Sequence, residues 1–259
     1  WSDVNAFSQL IAIVGDSTWQ LMQAKKALKV DWEVVDELEN SELHLQRLEK
    51  AVVSGEVEDS RLDGDPDAAF KKAVKVIERT YSSPFLAHNT MEPMNFFANV
   101  TENSAELIGP TQTPEALEGS VSKLLNMPIE NITVNMTRIG GGFGRRLYVH
   151  FGVEAAAISK AIGAPVKLIY TREDDMTQGT FRPAYRSKYK AGLDENNNLI
   201  AFTVKGAGLP EGPVFPNRFP AGAVANYSAE KIKAKTNVST GAWRAPRSNF
   251  TAGAEQSFI

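Results

Sequence analysis

The 259-residue sequence contains no cysteine. That absence excludes disulfides, thiolate metal sites and a cysteine nucleophile, and it leaves the redox compartment open. Histidine is scarce as well: His44, His88 and His150 lie far apart and form no HExxH spacing, so no zinc site is expected. No stretch approaches the run of about 18 apolar residues that a membrane span needs. A surplus of positive charge is also missing. Lys and Arg total 28 against 31 Asp and Glu, giving a net charge of -3. A general nucleic-acid binder would need basic residues in excess to neutralise phosphates, so nucleic acid is not an expected partner.

What is present is ordinary for a globular chain, with 42% hydrophobic and 23% charged residues. The length suits one large domain or two modest ones. Leu10–Gly15 and Val30–Val35 read as strands around a helix over 16–30, capped by Asp16 or Ser17 with Leu21, Ala24 and Leu28 on one face. From Asn40 to about Asp67 the chain turns polar and acidic. Residues 54–69, SGEVEDSRLDGDPDAA, hold six acids, Gly and Pro, and read as a linker or exposed crossover. Strands are then predicted in AVKVIERTYSS and MNFFANV. TPEALEGSVSKLLNMP carries helix signals: Thr113 as N-cap, Pro114 at the first position, a stripe of Leu117, Val121, Leu124 and Leu125, and Asn126 with Pro128 as the stop. NITVNMTR alternates as a strand. LYVHFGVEAAAISKAIG reads as a helix with Val149, Val153, Ala156 and Ala157 on one face and Gly163 ending it. PVKLIYTRED returns to strand. SKYKAGLDENNNLIAFTVKGAG reads as a hairpin. Its Asp194 and asparagines suggest a calcium loop, but Leu199 and Lys205 stand where that loop needs glycine and glutamate, so a plain turn is expected. A turn around Gly241 and Pro246 precedes a last helix.

The segment RIGGGFGRRLY, Arg138 to Tyr148, sets four glycines around Phe143 and follows them with two arginines. It lies between a predicted strand and a predicted helix. There its backbone N–H groups, and those of the helix's first turn, can point at an anion. Glycine permits close approach, and Arg145 and Arg146 add charge. GxGxxG spacing fails because Arg145 occupies the third glycine's position, and no GK[ST] triplet exists for a phosphate loop. Two readings of the loop stay open: an anionic or polar ligand held by backbone, or a tight turn packed on its neighbours. Around His88, in LAHNTMEPMN, Glu92 would share a helical face, but a turn is the expectation, with a structural role for His88. Arg244, beside Trp243 in STGAWRAPRSNF, is a second candidate binding position.

Five segments in order, YSSPFLAHNTMEPMN, IGGGFGRR, YTREDDMTQGTFRPAY, YKAGLDENNNLIAF and GAWRAPRSNFTAGAEQSFI, resemble the large subunit of xanthine-dehydrogenase-type molybdenum hydroxylases. The HNTMEP form and the double arginine resemble most the isoquinoline 1-oxidoreductase beta-subunit branch, with its molybdopterin-binding aldehyde dehydrogenases. IAIVGDSTWQLMQAKKALKVDWE resembles the end of that family's α/β hammerhead domain. The resemblance implies an α+β (mixed α/β) fold, with the tail of a hammerhead domain over 1–55, a linker over 56–73 and the first part of a molybdopterin-binding domain over 74–259. It implies an interior fragment, since family members extend further at both ends.

By the same resemblance, Gly141, Gly142, Phe143 and Gly144 meet the molybdopterin-type molybdenum cofactor, and Trp243 and Arg244 form the opposite wall, so that Phe143 and Arg244 face one cleft. The protein supplies no direct metal ligand. The arginines meet the cofactor's charge or order neighbouring loops. The implied reaction is hydroxylation of an N-heteroaromatic or aldehyde carbon with oxygen from water. Electrons pass to iron–sulfur clusters on a small partner subunit. The glutamate base is expected beyond Ile259, so no catalytic residue is assigned within the chain, and the fragment alone is expected to be inactive. Leu86 stands where xanthine-type enzymes have glutamine, and Leu147 where they have glutamate; this favours an apolar heteroaromatic or an aldehyde over a purine. The sequence leaves the location open; the resemblance prefers the periplasm, since relatives of this branch often carry an export signal, over the cytoplasm. Two other readings stand beside this one: a non-catalytic anion- or nucleotide-binding α/β module, and a structural or docking piece whose glycines only serve turns.

Overall fold

A computed structural model describes residues 10–34, 36–246 and 248–259. The chain forms two units that alternate along the sequence: Trp1–Val35 with His88–Gln178, and Asp36–Ala87 with Gly179–Ile259.

The first unit is built on a four-stranded sheet. Its strands are β3 (Asn95–Val100), β4 (Ala105–Gly109), β5 (Ile132–Met136) and β6 (Val166–Ile169), in the order β5-β4-β3-β6. β3 runs antiparallel to β4 and β6, whereas β4 and β5 are parallel. A parallel pair needs a crossover, and helix α4 (Pro114–Leu125) provides it. The expected signals operate there. Pro114 opens the first turn and Asn126 closes the helix in the left-handed conformation at φ 51°, while Thr113 is the N-cap by position only, its hydroxyl donating to the Leu147 carbonyl at 2.9 Å instead of capping. Leu117 and Val121 are fully buried, each contributing about 1.5–3 kcal/mol of apolar transfer. Helix α5 (His150–Ile162) stops at Gly163 and lays Val153, Ala155 and Ala156 into the core with Phe96, Leu107 and Phe151. Ser159 ties the helix to the sheet, accepting from Val100 N–H at 3.0 Å and donating to the Ala164 carbonyl at 2.8 Å. The short helix α6 (Arg172–Thr177) opens with a reciprocal cap between Thr171 and Asp174.

The second unit has a five-stranded sheet. Its strands are β1 (Val57–Asp63), β2 (Lys75–Ser83), β7 (Ala184–Leu193), β8 (Leu199–Leu209) and β9 (Tyr227–Lys233), in the order β1-β9-β8-β7-β2. β7 and β8 form the expected hairpin. Its turn is closed by Asp194, whose carboxylate accepts from the N–H groups of Asn196 and Asn198 and from the Asn198 amide, all at 2.8–2.9 Å. Those bonds make it the plain turn expected, with the aspartate occupied by its own loop. Helices α2 (Ser41–Ser54), α3 (Pro66–Lys72) and α7 (Ser248–Phe258) complete this unit.

Several local expectations fail. The strand read through PVKLIYTRED ends at Ile169, and Arg172 to Asp174 instead open α6 behind the Thr171 cap. Residues 10–15 and 30–34 form no strand, because an apolar run becomes one only where a neighbour completes its ladder, and among the described residues none does. Val35, the end of the second run, lies outside the described residues. Helix α1 (Thr18–Ala27) forms where expected, but none of its residues is buried and Leu28 stays exposed. The polar, acidic stretch from Asn40 onward holds α2, and the part read as a linker or crossover holds β1 and the start of α3. Its caps explain why. Asn40 accepts from Leu43 N–H at 2.9 Å, and Asp65 accepts from Ala68 N–H at 2.9 Å ahead of Pro66. Acidic and turn-forming residues are therefore starting helices here. β1, whose side chains are mostly exposed, is a strand because β9 pairs with it.

Candidate functional site

The glycine loop leaves β5 and runs through Ile139–Gly144 into a 3-10 turn at Arg145–Leu147 before α5 begins at His150. Gly141 and Gly144 sit at φ 101° and 100°, where an L side chain is strained. Gly140 and Gly142 are required by close approach. A Cβ on Gly140 would lie 2.4 Å from Glu92 Cβ, and one on Gly142 would lie 2.5 Å from Gln112 Oε1. Phe143 holds φ 55°, an unusual value for an aromatic residue, and leaves its ring partly exposed at 44%. The packed-turn reading is thus part of the answer, since each of the four glycines has a steric reason to be there.

The backbone amides supply the other part. Neither Gly141 nor Gly142 donates its N–H to any partner among the described residues, and both are only half-buried. Unpaired amides of this kind are uncommon and call for water or a ligand. The contribution expected from the first turn of α5 is absent, for a steric reason. The 3-10 turn intervenes, and His150 and Phe151, which open the helix, are buried at 1% and 0% exposure.

The two arginines were expected to meet a ligand's charge or order neighbouring loops. They do the second. Arg146, fully buried, donates from Nε to the Gly141 carbonyl at 2.8 Å and from Nη2 to the Glu92 carbonyl at 2.9 Å. The same Nη2 meets Glu92 Oε2 at 2.8 Å, and that oxygen also accepts from Gly140 N–H at 2.9 Å. On the other side of the loop, Gln112 Oε1 accepts from Gly144 N–H at 3.3 Å, and Gln112 N–H donates to the Arg146 carbonyl at 3.0 Å. Arg145 turns the opposite way. It lies 3.0 Å from His150 Nε2, donates to the Gln178 carbonyl at 3.1 Å and pairs with Asp175 at 3.4 Å. Burial pulls both guanidinium groups below their ordinary pKa, with Asp175 opposing this at Arg145 and Glu92 opposing it at Arg146. Burial, with the nearby Arg145 charge, also drives His150 down to about 3, so the imidazole is neutral.

One turn further along α5, Glu154 accepts a 2.6 Å hydrogen bond from Tyr170 Oη, and burial pushes its carboxyl up to about 7. His88 lies buried in the HNTMEP segment, which is a turn as expected. Glu92, Gln112, Asp175 and Glu154 were not singled out as site residues by sequence. Glu92 meets Arg146 across 54 residues, a separation that no spacing rule registers.

The other candidate residues belong to the second unit. Trp243 and Arg244 lie on a loop that Phe181 holds at its start, donating to the Ser239 carbonyl and accepting from Gly241 N–H, both at 2.9 Å. At its end the Asn249 side-chain amide donates to the Arg244 and Ala245 carbonyls at 3.1 and 3.0 Å, and Ala245 takes φ 53°. Arg244 is exposed and Trp243 half-buried. Leu86, in this unit, is bridged to Arg182 and 43% exposed. Leu147, in the first unit, is 37% exposed. No described helix is long and apolar enough to cross a membrane.

Residues 48–246 match the family described as the molybdopterin cofactor-binding domain. The chain is 29% identical over 206 residues to a membrane-bound aldehyde dehydrogenase [pyrroloquinoline-quinone] of Gluconacetobacter polyoxogenes, covering 78% of this chain and 27% of that protein. It is 29% identical over 208 residues to the isoquinoline 1-oxidoreductase subunit beta of Brevundimonas diminuta, covering 73% and 26%. The chain thus spans about a quarter of the length of these relatives. Among solved structures, quinoline 2-oxidoreductase from Pseudomonas putida 86 superposes with a TM-score of 0.66 at 18% identity, over 93% of this chain and 34% of that one. At that identity the likeness is one of fold.

Proposed function

The chain belongs to the molybdopterin cofactor-binding domain family, and from that premise we propose that it is part of the large subunit of a molybdenum hydroxylase acting on an N-heteroaromatic or aldehyde carbon. The observation that carries the proposal is the pair of undonated amides at Gly141 and Gly142, set on a backbone held from behind by Glu92, Arg146 and Gln112. The donor set fits an anionic pterin–metal complex. It offers neutral N–H groups on a glycine backbone bordered by the Phe143 ring and the Gln112 side chain, and the flanking cations are already occupied in the protein. Gly141, Gly142, Phe143 and Gly144 would hold the group, and the family resemblance assigns Trp243 and Arg244 to the same cofactor. When bound, it supplies two-electron oxidation of the substrate carbon with oxygen from water.

The residues in hand orient and exclude. The loop amides fix the guest's direction, and the exposed Phe143 ring offers an apolar edge to a flat heteroaromatic. Leu86 and Leu147 place apolar side chains where purine-oxidising relatives have polar ones, which supports an apolar substrate. Partnership with a small iron–sulfur subunit belongs to the same proposal. A free-standing anion- or nucleotide-binding module is not favoured, because the family match runs through segments of both units.

The test is to purify the full-length protein with its partner subunits and measure pterin and molybdenum per polypeptide. Close to one of each, with oxidation of an aldehyde or quinoline-type substrate, is the expected result. A full-length protein that never contains pterin sinks the reading.

A further inference from the structure

We propose that Glu92 and Arg146 are positioning residues for cofactor binding, a latch that holds the Gly141 and Gly142 amides in their outward orientation. The inference rests on the family reading of the glycine loop and goes beyond it by naming the side chains that set the loop's shape.

The latch is a closed circuit of hydrogen bonds. Glu92 Oε2 takes two donors at once, Gly140 N–H at 2.9 Å and Arg146 Nη2 at 2.8 Å. Arg146 then grips the next residue, donating through Nε to the Gly141 carbonyl at 2.8 Å. Glu92 N–H completes the circuit by donating to the Gly140 carbonyl at 3.0 Å. The peptide groups on either side of Gly140 and Gly141 are therefore held by their inward-facing polar atoms. A peptide unit is planar, so fixing the Gly141 carbonyl fixes the direction of the Gly142 N–H joined to it. In the same way, the Gly140 carbonyl, accepting from Glu92, fixes the Gly141 N–H. The two amides left without a partner among the described residues are those whose orientation the latch dictates.

The charges suit this role better than direct contact with a ligand. Arg146 is fully buried and cannot reach an external anion. The Glu92 side chain is 36% exposed and would repel an anionic guest if it were not neutralised. Paired, the two present no net charge at the loop. Charge-assisted bonds are also stronger than neutral ones, which suits a segment whose glycines would otherwise sample many conformations. Lysine could not replace Arg146, because a single ammonium does not present the planar fork that reaches the Gly141 carbonyl, the Glu92 carbonyl and the Glu92 carboxylate together.

The test uses the full-length protein with its partner subunits. Glu92→Ala removes both side-chain bonds, and Glu92→Gln keeps an acceptor without the charge. Arg146→Lys keeps the charge without the fork. Ser159→Ala is the control, because it breaks buried hydrogen bonds in the same unit away from the loop. Pterin and molybdenum retained after prolonged gel filtration, and the Mo(V) spectrum, are read against the unfolding temperature. The expectation is about tenfold weaker retention in E92A and R146K, of the size seen when groups supporting a metal site are removed. E92Q should lie between E92A and the parent, with an altered spectrum, and S159A should retain the parent's cofactor content despite lower stability. Parent-like retention and spectrum in E92A overturns the proposal, as does cofactor loss that tracks unfolding temperature alike in E92A and S159A. If R146K does not fold, the E92A and E92Q pair decides. Absence of pterin from the parent protein would bring down the family reading itself, a result distinguishable from a parent that is loaded and an E92A protein that is equally so.

Discussion

At the scale of single residues, the glycine loop shows how one short motif serves two purposes. Gly140 and Gly142 leave room for Glu92 and Gln112, while Gly141 and Gly144 take backbone angles that a side chain would strain. Gly141→Ala should therefore destabilise the chain by about 1–2 kcal/mol, the usual cost of an L residue in the left-handed region. Equilibrium denaturant unfolding measures this, and an unchanged midpoint would contradict the conformation described. Gly142→Ala should cost less, because the atom it meets is the end of the flexible Gln112 side chain. The double arginine was visible in the sequence as charge near glycine. Its use was not, because whether a guanidinium faces a ligand or its own loop depends on which carbonyls lie within about 3 Å.

At the scale of elements, α5 carries two titrating groups whose effects oppose each other. Burial lowers the His150 pKa from 6.5 to about 3, which keeps the imidazole neutral, and raises the Glu154 pKa from 4.5 to about 7. Between about pH 3 and 6.5 the unfolded chain binds more protons at His150, so that group makes stability rise with pH. Between about pH 4.5 and 7 the folded chain binds more protons at Glu154, so that group makes stability fall as pH rises. Glu154→Gln should remove the fall and leave a chain whose stability climbs up to about pH 6.5. His150→Asn should leave the fall alone, amounting to a few kcal/mol at most. Denaturation midpoints across pH 4–8 check both signs, and identical profiles for parent and E154Q would contradict the assigned burial effect. Helix starts offer a simpler case. Asn40→Ala should cost about 1 kcal/mol by leaving Leu43 N–H without its acceptor. Helix signals of this kind are written locally, which is why α4 was legible from Pro114 and Asn126, although Thr113 makes no side-chain cap bond. α2 and α3 carried equally good caps, Asn40 and Asp65, but the acidic composition around them suggested a linker. The strands β1 and β9 were not foreseen because their pairing, not their composition, makes them strands.

At the scale of the whole molecule, the chain covers about a quarter of the length of the two relatives named above, and the proposed activity belongs to the full-length protein. Produced alone, the 259-residue chain is expected to retain no stoichiometric molybdenum and to oxidise no aldehyde. Metal analysis and a turnover assay test this, and a loaded, active fragment would contradict it. In the full-length protein, Arg244→Ala should lower cofactor retention, because the family resemblance assigns Arg244 to the cofactor. Unchanged pterin content together with unchanged KM would remove it from the site.

The sequence alone determined what depends on neighbours in the chain: the caps of α4, the stop of α5 at Gly163, the Asp194 turn, and the order of motifs that marks the family. These follow from backbone angles and hydrogen bonds spanning a few residues, or from residue types kept in a recognisable order. The tertiary structure decided the roles of groups whose partners are distant. Arg146 became part of the loop's support because Glu92, 54 residues earlier, is folded against it, and the Glu154 carboxyl is pushed up to about 7 because α5 is buried, against the opposing hydrogen bond from Tyr170. Charge and burial are properties of position in space, and only the folded chain assigns them.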